Sequence, residues 1–304
     1  MVYSPAILPS MQRDLQVGDL GATFVAPDAP RAAALLLQGS GVHDRNGAMP
    51  AFSFRSNLYE RLARELAARG IASLRYDKRG FDLPAGAPRD YSLTSRIADA
   101  RAALMVLKEQ PEVAGQTLII GHSEGALIGA CVGAQHAEPL HVVSLAAPFG
   151  NVFELNRFRA QKLATGPNAA LHARGARALE FYSRLEKLFR TSEQISPAEF
   201  LELAHPYRDA GFAGWEGFEW LREHWQGKAA CDPTESGKPM LVVQGGRDYR
   251  LWDDNVQRWR DWCAARPLAK FVEIEDMGHD LNDARRKAFV LHEAVVDAIA
   301  GWLE

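Results

Sequence analysis

Short apolar runs of strand length alternate with amphipathic segments along most of the chain. The runs are nearly continuous in hydrophobic residues, as in strands buried on both faces, and they cover residues 33–38, 71–76, 117–121, 142–146, 240–244 and 271–274. Apolar residues recur at helical spacing between them, for example over 57–69 and 97–107. A glycine-centred hairpin pattern over 15–25 adds two antiparallel strands at one edge. The alternation predicts an α/β fold with a mostly parallel, eight-stranded sheet and helices on both faces.

This alternation stops between about residues 149 and 232. The span is rich in aromatic residues and contains helix-like segments such as 176–190 and 218–225. We therefore predict a helical cap, or lid, at 149–232, inserted into a core formed by 1–148 and 233–304. Most of the aromatic residues are expected to pack the cap together, and a minority to line a substrate pocket.

Composition narrows the classes of partner and location. The chain has 304 residues, 47% of them hydrophobic, which is enough to bury a sizeable core. Its formal net charge is −3 with both signs interspersed, so no positive field is available to hold nucleic acid. No apolar run approaches the roughly 18 residues of a membrane span, and the first residues lack a signal-peptide pattern. We expect a soluble, cytoplasmic protein that does not insert into membranes.

The three cysteines bear on redox state and metal binding. Cys131, Cys231 and Cys263 are an odd number without CxxC spacing. No Cys/His cluster offers four zinc ligands. The pattern favours reduced thiols in a reducing compartment, and no metal site.

Residues 118–125 read LIIGHSEG, an apolar run followed by a serine between two glycines. A helix-like segment follows at once, so Ser123 is expected at a sharp strand-to-helix turn with its hydroxyl exposed. Side chains at Gly121 and Gly125 would collide with neighbouring backbone in such a turn. The helix N-terminus behind the serine favours an anion forming there. Ser123 is thus a candidate nucleophile; the plainer alternative is a serine that only caps the helix.

A serine nucleophile needs a base, and the base needs an orienting carboxylate. In this kind of fold the chain order is serine, acid, histidine, with each residue on a loop after a strand. Asp248, in QGGRDYR, and His279, in EDMGHDLN, meet this order and placement. Asp253 and Asp254 are rival acids, but they precede an amphipathic run, and an N-cap role explains one of them.

Two backbone donors are also needed for the developing oxyanion. One is expected to be the amide of Glu124, directly after the nucleophile. The other is expected from the loop GSGVHDRNG that follows the run 33–38. The amide of Ser40 is the preferred candidate and that of Gly41 the alternative.

Four neighbouring polar residues are given simpler interpretations. His43 is expected to be a solvated loop histidine, and His122 is expected to point away from Ser123. Asp44 and Arg45 either pin the glycine-rich loop by hydrogen bonds or form an ordinary surface ion pair.

The motifs GSGVHDRNG, RYDKRG, GHSEG, GGRDYR and GHDLN together resemble those of α/β-hydrolase fold serine hydrolases. The pattern is similar to carboxylesterases related to dienelactone hydrolase and to serine aminopeptidase-like members. The resemblance covers nearly the whole chain and implies hydrolysis through an acyl-enzyme, without cofactor or metal. The chain departs from many relatives in having Gln38-Gly39 in place of His-Gly, and GFDL at 80–83 in place of an RGxGxS continuation.

The expected substrate is a small carboxylic ester with a short to medium acyl or aryl group, because an aromatic cap favours a semi-enclosed pocket. An aminopeptidase or acyl-peptide hydrolase is an alternative, for which acidic cap residues would bind the free amino group; these are Glu199, Glu202, Glu216 and Glu219. A thioesterase is also open. Epoxide hydrolysis and dehalogenation are disfavoured, since such members usually carry aspartate at the position of Ser123. A non-catalytic ligand-binding protein is the alternative of a different class.

Overall fold

Eight strands form one sheet in a computed structural model that describes residues 10–304 except Gly86, Pro88, Ala114, Ser192 and 211–215. The strands are β1 (Ser10–Val17), β2 (Leu20–Pro27), β3 (Ala32–Leu37), β4 (Ile71–Tyr76), β5 (Gln116–His122), β6 (His141–Leu145), β7 (Met240–Gly245) and β8 (Ala269–Ile274). Their order across the sheet is β1-β2-β4-β3-β5-β6-β7-β8. The predicted eight-stranded, mostly parallel sheet is confirmed.

The first two strands form the predicted antiparallel edge. β1 pairs with β2, and β2 pairs with β4, both in antiparallel register. The remaining pairs, from β4 through β3 and β5 to β8, are all parallel. The carboxyl ends of β3, β5, β7 and β8 therefore meet at one edge of the sheet, which is where an open α/β fold binds its ligands.

Helices cover both faces of this sheet. The described α-helices are α1 (Leu58–Ala67), α2 (Leu93–Lys108), α3 (Glu124–Gln135), α4 (Val152–Thr165), α5 (His172–Arg190), α6 (Pro197–Ala204), α7 (Phe218–Trp225), α8 (Asn255–Ala264) and α9 (Glu293–Trp302). Helix α2 begins with a capping box, in which Ser92 and Ser95 satisfy each other's backbone amides. The predicted segment 57–69 corresponds to α1, and 97–107 lies within α2.

The central strand β3 separates two hydrophobic cores. Ala33, Leu35 and Leu37 pack on the face covered by α2, α3 and α8, while Leu36 and its alternate neighbours pack against α1 and α9. Every residue of β3 is buried, which explains its continuous apolar sequence. Full burial of each leucine contributes about 1.5–3 kcal/mol relative to exposure. The sheet edge that carries the site is therefore held from both sides.

The helices α4 to α7 lie in the chain between β6 and β7. Helices α4 and α5 pack against each other, with Phe153 of α4 edge-on to Tyr182 of α5 at 5.4 Å between ring centroids. Phe189 at the end of α5 contacts Phe218 of α7 at 5.2 Å. The aromatic residues thus pack helix to helix. The division into a core and a cap at 149–232 stays a prediction.

The pairing of the cysteines differs from the expectation. Cys131 in α3 and Cys231, which lies beyond α7, form a disulfide across 100 residues of sequence, and Cys263 is a buried free thiol. The expectation of three reduced thiols is wrong, because an odd count is also met by one pair and one remaining cysteine. Disulfides persist mainly in oxidising compartments. The cysteines therefore no longer support a cytoplasmic location, which stays a prediction.

Candidate active site

Ser123 lies at the turn between β5 and α3, with φ 55° and ψ −120°. A non-glycine residue in this region of backbone space is strained and is held there only by its surroundings. A Cβ at Gly121 would lie 2.2 Å from the carbonyl oxygen of Gly125, and a Cβ at Gly125 would lie 2.3 Å from that of Leu37. The two glycines are therefore required by the close approach of backbone to backbone.

The structure brings Ser123, His279 and Asp248 together. The Oγ of Ser123 is 3.1 Å from Nε2 of His279, whose Nδ1 is 2.7 Å from Oδ2 of Asp248. Asp248 follows β7 and His279 follows β8, so both side chains come from loops at the same edge of the sheet. Because the carboxylate accepts a hydrogen bond from Nδ1–H, Nε2 is left as the acceptor for the serine hydroxyl.

The rival acids lie elsewhere. Asp253 forms an exposed ion pair with Lys162 at 2.5 Å. Asp254 occupies the N-cap position of α8 without a side-chain capping bond, and its carboxylate pairs with Arg258 at 2.9 Å. Neither of these contacts involves His279.

The loop after β3 approaches the serine closely. A Cβ at Gly39 would lie 3.2 Å from the Cβ of Ser123. The Gly39 amide donates to the hydroxyl of Tyr59 at 2.8 Å, and the Gly41 amide donates to the hydroxyl of Tyr91 at 3.0 Å. Two of the three loop amides are thus already bonded.

The amides of Ser40 and Glu124 are the two donors that the sequence predicted for the oxyanion. Within the described residues, neither has a hydrogen-bond partner. Glu124 is the first residue of α3, whose N-terminal N–H groups lack intrahelical acceptors. The Gly41 amide already donates to Tyr91, and the choice of Ser40 over Gly41 as an oxyanion donor stays a prediction.

The side chain of Lys78 also contacts the loop after β3. Its buried ammonium donates to the carbonyl oxygen of Gly39 and lies 3.8 Å from a carboxylate oxygen of Glu124. Burial lowers the pKa of Lys78 to about 7, although the charge of Glu124 opposes the shift. The lysine thus joins the loop after β3 to the first residue of α3.

The side chain of Glu124 is fully buried and accepts several hydrogen bonds. Its Oε1 accepts from the indole N–H of Trp220 and from Nε2 of His224 at 3.0 Å, both on α7. Burial alone would raise its pKa, but the bond from His224 and the charge of Lys78 outweigh it and bring the pKa to about 2. The buried carboxylate of Glu124 therefore connects α3 with α7.

His122 connects the two loops that flank Ser123. Its Nε2 is 2.8 Å from the carbonyl oxygen of His279, which can only accept, so Nε2 carries the proton. Its Nδ1 then accepts from the hydroxyl of Tyr59 at 2.9 Å. Burial, with the charge of His279 adding, lowers the pKa of His122 to about 4, so the ring is neutral. Its hydrogen bonds run to these partners and not to Ser123, as the sequence led us to expect.

Tyr59 is a site residue that the sequence reasoning missed. Its hydroxyl accepts from the amide of Gly39 and donates to His122. The chain of bonds from Gly39 through Tyr59 and His122 ends at the backbone of His279. Tyr59 lies in α1 among residues of core type, so its sequence pattern contained no signal for this role.

The remainder of the glycine-rich loop is pinned by hydrogen bonds. One oxygen of Asp44 accepts from three consecutive amides, those of residues 46–48. Arg45 forms an ion pair with the buried Asp77 at 2.7 Å. The interpretation of His43 as a solvated residue is wrong: the residue is 8% exposed, and burial lowers the pKa of its imidazole well below the ordinary value. The backbone amide of Lys78 donates to the carbonyl oxygen of His43 at 3.0 Å, which ties this part of the loop to the residues after β4.

A cavity of about 460 Å³ opens beside Ser123 and His279. This volume lies within the range of small-molecule sites. Val152 and Leu155 of α4 and Phe289 supply apolar surface, and several arginines supply charge. The acidic cap residues proposed for a free amino group do not line this cavity: Glu199 caps α6 and Glu219 pairs with Arg222.

Two further properties concern the described residues only. They contain no group of three His, Cys, Asp or Glu side chains placed to hold a metal ion. None of their helices combines the length and the hydropathy that a membrane span needs.

A strained serine beside a histidine–aspartate pair, at the carboxyl edge of a mostly parallel sheet, defines a hydrolase-type site. A profile of the Alpha/beta hydrolase family matches residues 34–292. The chain belongs to this family. Among curated proteins it is 27% identical over 310 residues to Esterase EstD of Thermotoga maritima, covering 96% of this chain and 67% of that protein.

Solved structures of esterases share the fold. Est1E from Butyrivibrio proteoclasticus superposes with a TM-score of 0.57 at 15% identity, covering 97% of each chain. An esterase of Pyrococcus furiosus gives a TM-score of 0.53 at 15% identity, covering 97% of this chain and 90% of that one. At such identities the structural likeness establishes the fold alone. The family match and the likeness to Esterase EstD together make the chain an esterase-like hydrolase.

Proposed function

We propose that the protein is a carboxylesterase-like serine hydrolase that cleaves small esters through an acyl-enzyme. The observation that carries the proposal is the arrangement of Ser123 Oγ, His279 and Asp248, at 3.1 and 2.7 Å between successive partners. The likeness to Esterase EstD supports an ester as the substrate.

In the first half-reaction, the Oγ of Ser123 attacks the acyl carbonyl carbon while Nε2 of His279 takes the hydroxyl proton. The carboxylate of Asp248 stabilises the imidazolium that forms. The carbonyl oxygen becomes an oxyanion, and the free amides of Ser40 and Glu124 are the donors available to it. Collapse of the tetrahedral intermediate breaks the ester C–O bond, and His279 gives its proton to the departing alcohol.

In the second half-reaction, water attacks the acyl-serine carbonyl and His279 accepts a proton from it. A second oxyanion forms against the same two amides. Its collapse breaks the bond to Oγ, and the proton on His279 returns to Ser123. The products are one carboxylic acid and one alcohol per ester and water consumed, and the enzyme is unchanged.

The alternatives receive different support. The cavity does not contain the cap acids that aminopeptidase activity would need. A thioesterase would use the same residues and is separated from an esterase only by its substrate. A purely ligand-binding protein would not need the serine–histidine–aspartate geometry or the strained backbone at Ser123.

The test is a series of p-nitrophenyl esters from acetyl to palmitoyl, with initial rates measured for three proteins. We expect wild-type turnover with an optimum at short to medium chains, and at least about a 10³-fold loss in Ser123→Ala. Ser40→Ala is the matched control, because it removes a hydroxyl but keeps the amide, and its rate should stay within about threefold of wild type. Turnover that survives in Ser123→Ala would overturn the proposal.

A further inference from the structure

The cavity beside Ser123 is lined by an excess of positive charge. Among the described residues, the arginines that line it are Arg55, Arg61, Arg159 and Arg250. The acid in the same lining is Asp280, which already pairs with Arg250 at 3.1 Å. An excess of cations beside a site for an uncharged ester bond is not explained by the hydrolytic steps alone.

Helix α4 places one of these arginines at a defined depth. Val152, Leu155 and Arg159 all line the cavity, and their spacing of three and four residues puts them on one helix face. At about 1.5 Å per residue, Arg159 lies roughly 10 Å further along the helix than Val152. The wall is therefore apolar at the start of the helix and charged beyond it.

Several N–H groups of the Arg159 guanidinium form no hydrogen bond within the described residues. Its Nε donates to the carbonyl oxygen of Arg250 at 2.7 Å and Nη1 donates to Oδ1 of Asn156 at 3.3 Å. A guanidinium has five N–H groups, so three are left without a partner among the described residues. None of the described carboxylates forms an ion pair with it.

The electrostatic environment of Arg159 is unfavourable as it stands. Burial lowers its pKa below the ordinary value, and the charge of Arg250 lowers it further, while Asp248 opposes the shift. Arg159 is half-buried, and a guanidinium in such a position is stabilised by a carboxylate partner. Arg157, on the same helix, contrasts with it, because Arg157 pairs with Glu186 of α5 at 2.9 Å.

We propose that the natural substrate carries a carboxylate remote from its ester bond, and that Arg159 binds this carboxylate. The proposal rests on the proposed esterase function and names its substrate class. Guanidinium and carboxylate match as planar, charge-assisted partners. The apolar surface of Val152 and Leu155 then covers the carbon chain between the ester and the acid. The carboxylate can belong to the acyl chain or to the alcohol, and the experiment separates the two.

The kinetic test uses two pairs of esters that differ in one carboxylate. Mono-p-nitrophenyl adipate against p-nitrophenyl hexanoate tests the acyl side, and 4-acetoxybenzoate against phenyl acetate tests the alcohol side. We expect Arg159→Gln to lower kcat/KM about 10- to 100-fold for the carboxylated member of one pair, mainly through KM. The neutral member should change by less than about threefold.

Arg157→Gln is the matched control, since it removes an arginine from the same helix outside the cavity lining. It should leave all four esters within about twofold of wild type. A loss in Arg159→Gln that is equal for charged and neutral esters would show a structural role only and would overturn the proposal. No loss for either carboxylated ester would overturn it as well.

A binding measurement separates this inference from the proposed function. Ser123→Ala protein is titrated calorimetrically with adipamic acid, hexanamide and 4-hydroxybenzoate, none of which carries an ester. We expect adipamic acid or 4-hydroxybenzoate to bind, and Arg159→Gln in the same background to weaken that binding at least about tenfold. Anion binding without turnover of any ester would overturn the esterase and keep the carboxylate site. Serine-dependent turnover of neutral esters without anion binding would do the reverse.

Discussion

At the scale of single residues, the site depends on which hydrogen-bonding groups are occupied and which are left open. Around Ser123 the amides of Gly39 and Gly41 are bonded to tyrosine hydroxyls, while those of Ser40 and Glu124 are open. An oxyanion can use only donors that are not already committed. Among the four arginines of the cavity lining, Arg159 is the half-buried one, and three of its N–H groups have no partner within the described residues.

Tyr59→Phe tests the bridge from the oxyanion loop to the histidine loop. Loss of one hydroxyl leaves the Gly39 amide and Nδ1 of His122 without their partner. We expect the free energy of unfolding to fall by about 1–3 kcal/mol. Because both loops lose a tether, kcat on a p-nitrophenyl ester should fall about 10- to 100-fold, with a smaller change in KM.

The matched control for this variant is Tyr249→Phe, in which the tyrosine is 80% exposed. Unfolding in urea and initial rates should both be close to wild type. If Tyr59→Phe also behaves like wild type in both measurements, the bridge has no influence on the site.

Much of the arrangement of the site residues could be predicted from the sequence. Ser123, Asp248 and His279 each follow an apolar run in the required order, so the topology of a parallel sheet brings them together. His43, Tyr59 and Arg159 could not be assigned, because their environment depends on elements distant in the chain. Nothing local distinguishes a buried loop histidine from a solvated one, or a cavity arginine from one on a helix surface.

At the scale of elements, α3 is the common support of the site. Its first residue, Glu124, carries the amide that we propose as an oxyanion donor. The carboxylate of Glu124 accepts from Trp220 and His224 of α7. Further along, Cys131 is bonded to Cys231 beyond α7. Helix α3 is thus attached at two separate points to the C-terminal part of the segment between β6 and β7.

Glu124→Gln tests the buried carboxylate. The substitution keeps the backbone amide but removes the charge that accepts from His224 and faces Lys78, so the free energy of unfolding at pH 7 should fall by about 1–3 kcal/mol. The folded pKa of Glu124 is about 2, below its ordinary value of 4.5. The carboxylate therefore stabilises the fold above about pH 4.5, and its contribution is lost as the pH falls towards 2.

The difference between wild type and Glu124→Gln should accordingly shrink between pH 4.5 and pH 3 in urea unfolding. Glu219→Gln is the control, since Glu219 is an acid of α7 itself and forms a surface pair with Arg222 of the same helix. Its effect should stay below about 1 kcal/mol. A Glu124→Gln effect that is the same at every pH would contradict the assignment of the low pKa.

The elements themselves were well predicted. The run 71–76 and the segment 218–225 coincide with β4 and α7, and continuous apolar runs marked the parallel strands because these are buried on both faces. The disulfide was not predictable, since its partners lie 100 residues apart and the odd count permitted several arrangements. Pairing depends on the distance between two Cβ atoms in the folded chain.

At the scale of the whole molecule, the disulfide links α3, which packs against the sheet, to the segment between β6 and β7. We expect reduction of wild-type protein to lower its free energy of unfolding by about 2–5 kcal/mol. The Cys131→Ala/Cys231→Ala double variant should be insensitive to reductant. Thiol titration of the denatured, oxidised chain should find the single thiol of Cys263. Three thiols without reductant would show that the pair does not form.

Three strands and their loops bring one serine, one histidine and one carboxylate together at the same sheet edge. We propose that this assembly makes Ser123 reactive. The most direct measurement is covalent labelling with diisopropyl fluorophosphate, followed by intact-protein and peptide mass spectrometry. We predict one phosphoryl group per chain, located on the peptide that contains Ser123, with no label in Ser123→Ala and at least about 10³-fold slower labelling in His279→Ala. Labelling of another residue, or equal labelling of Ser123→Ala, would contradict the account.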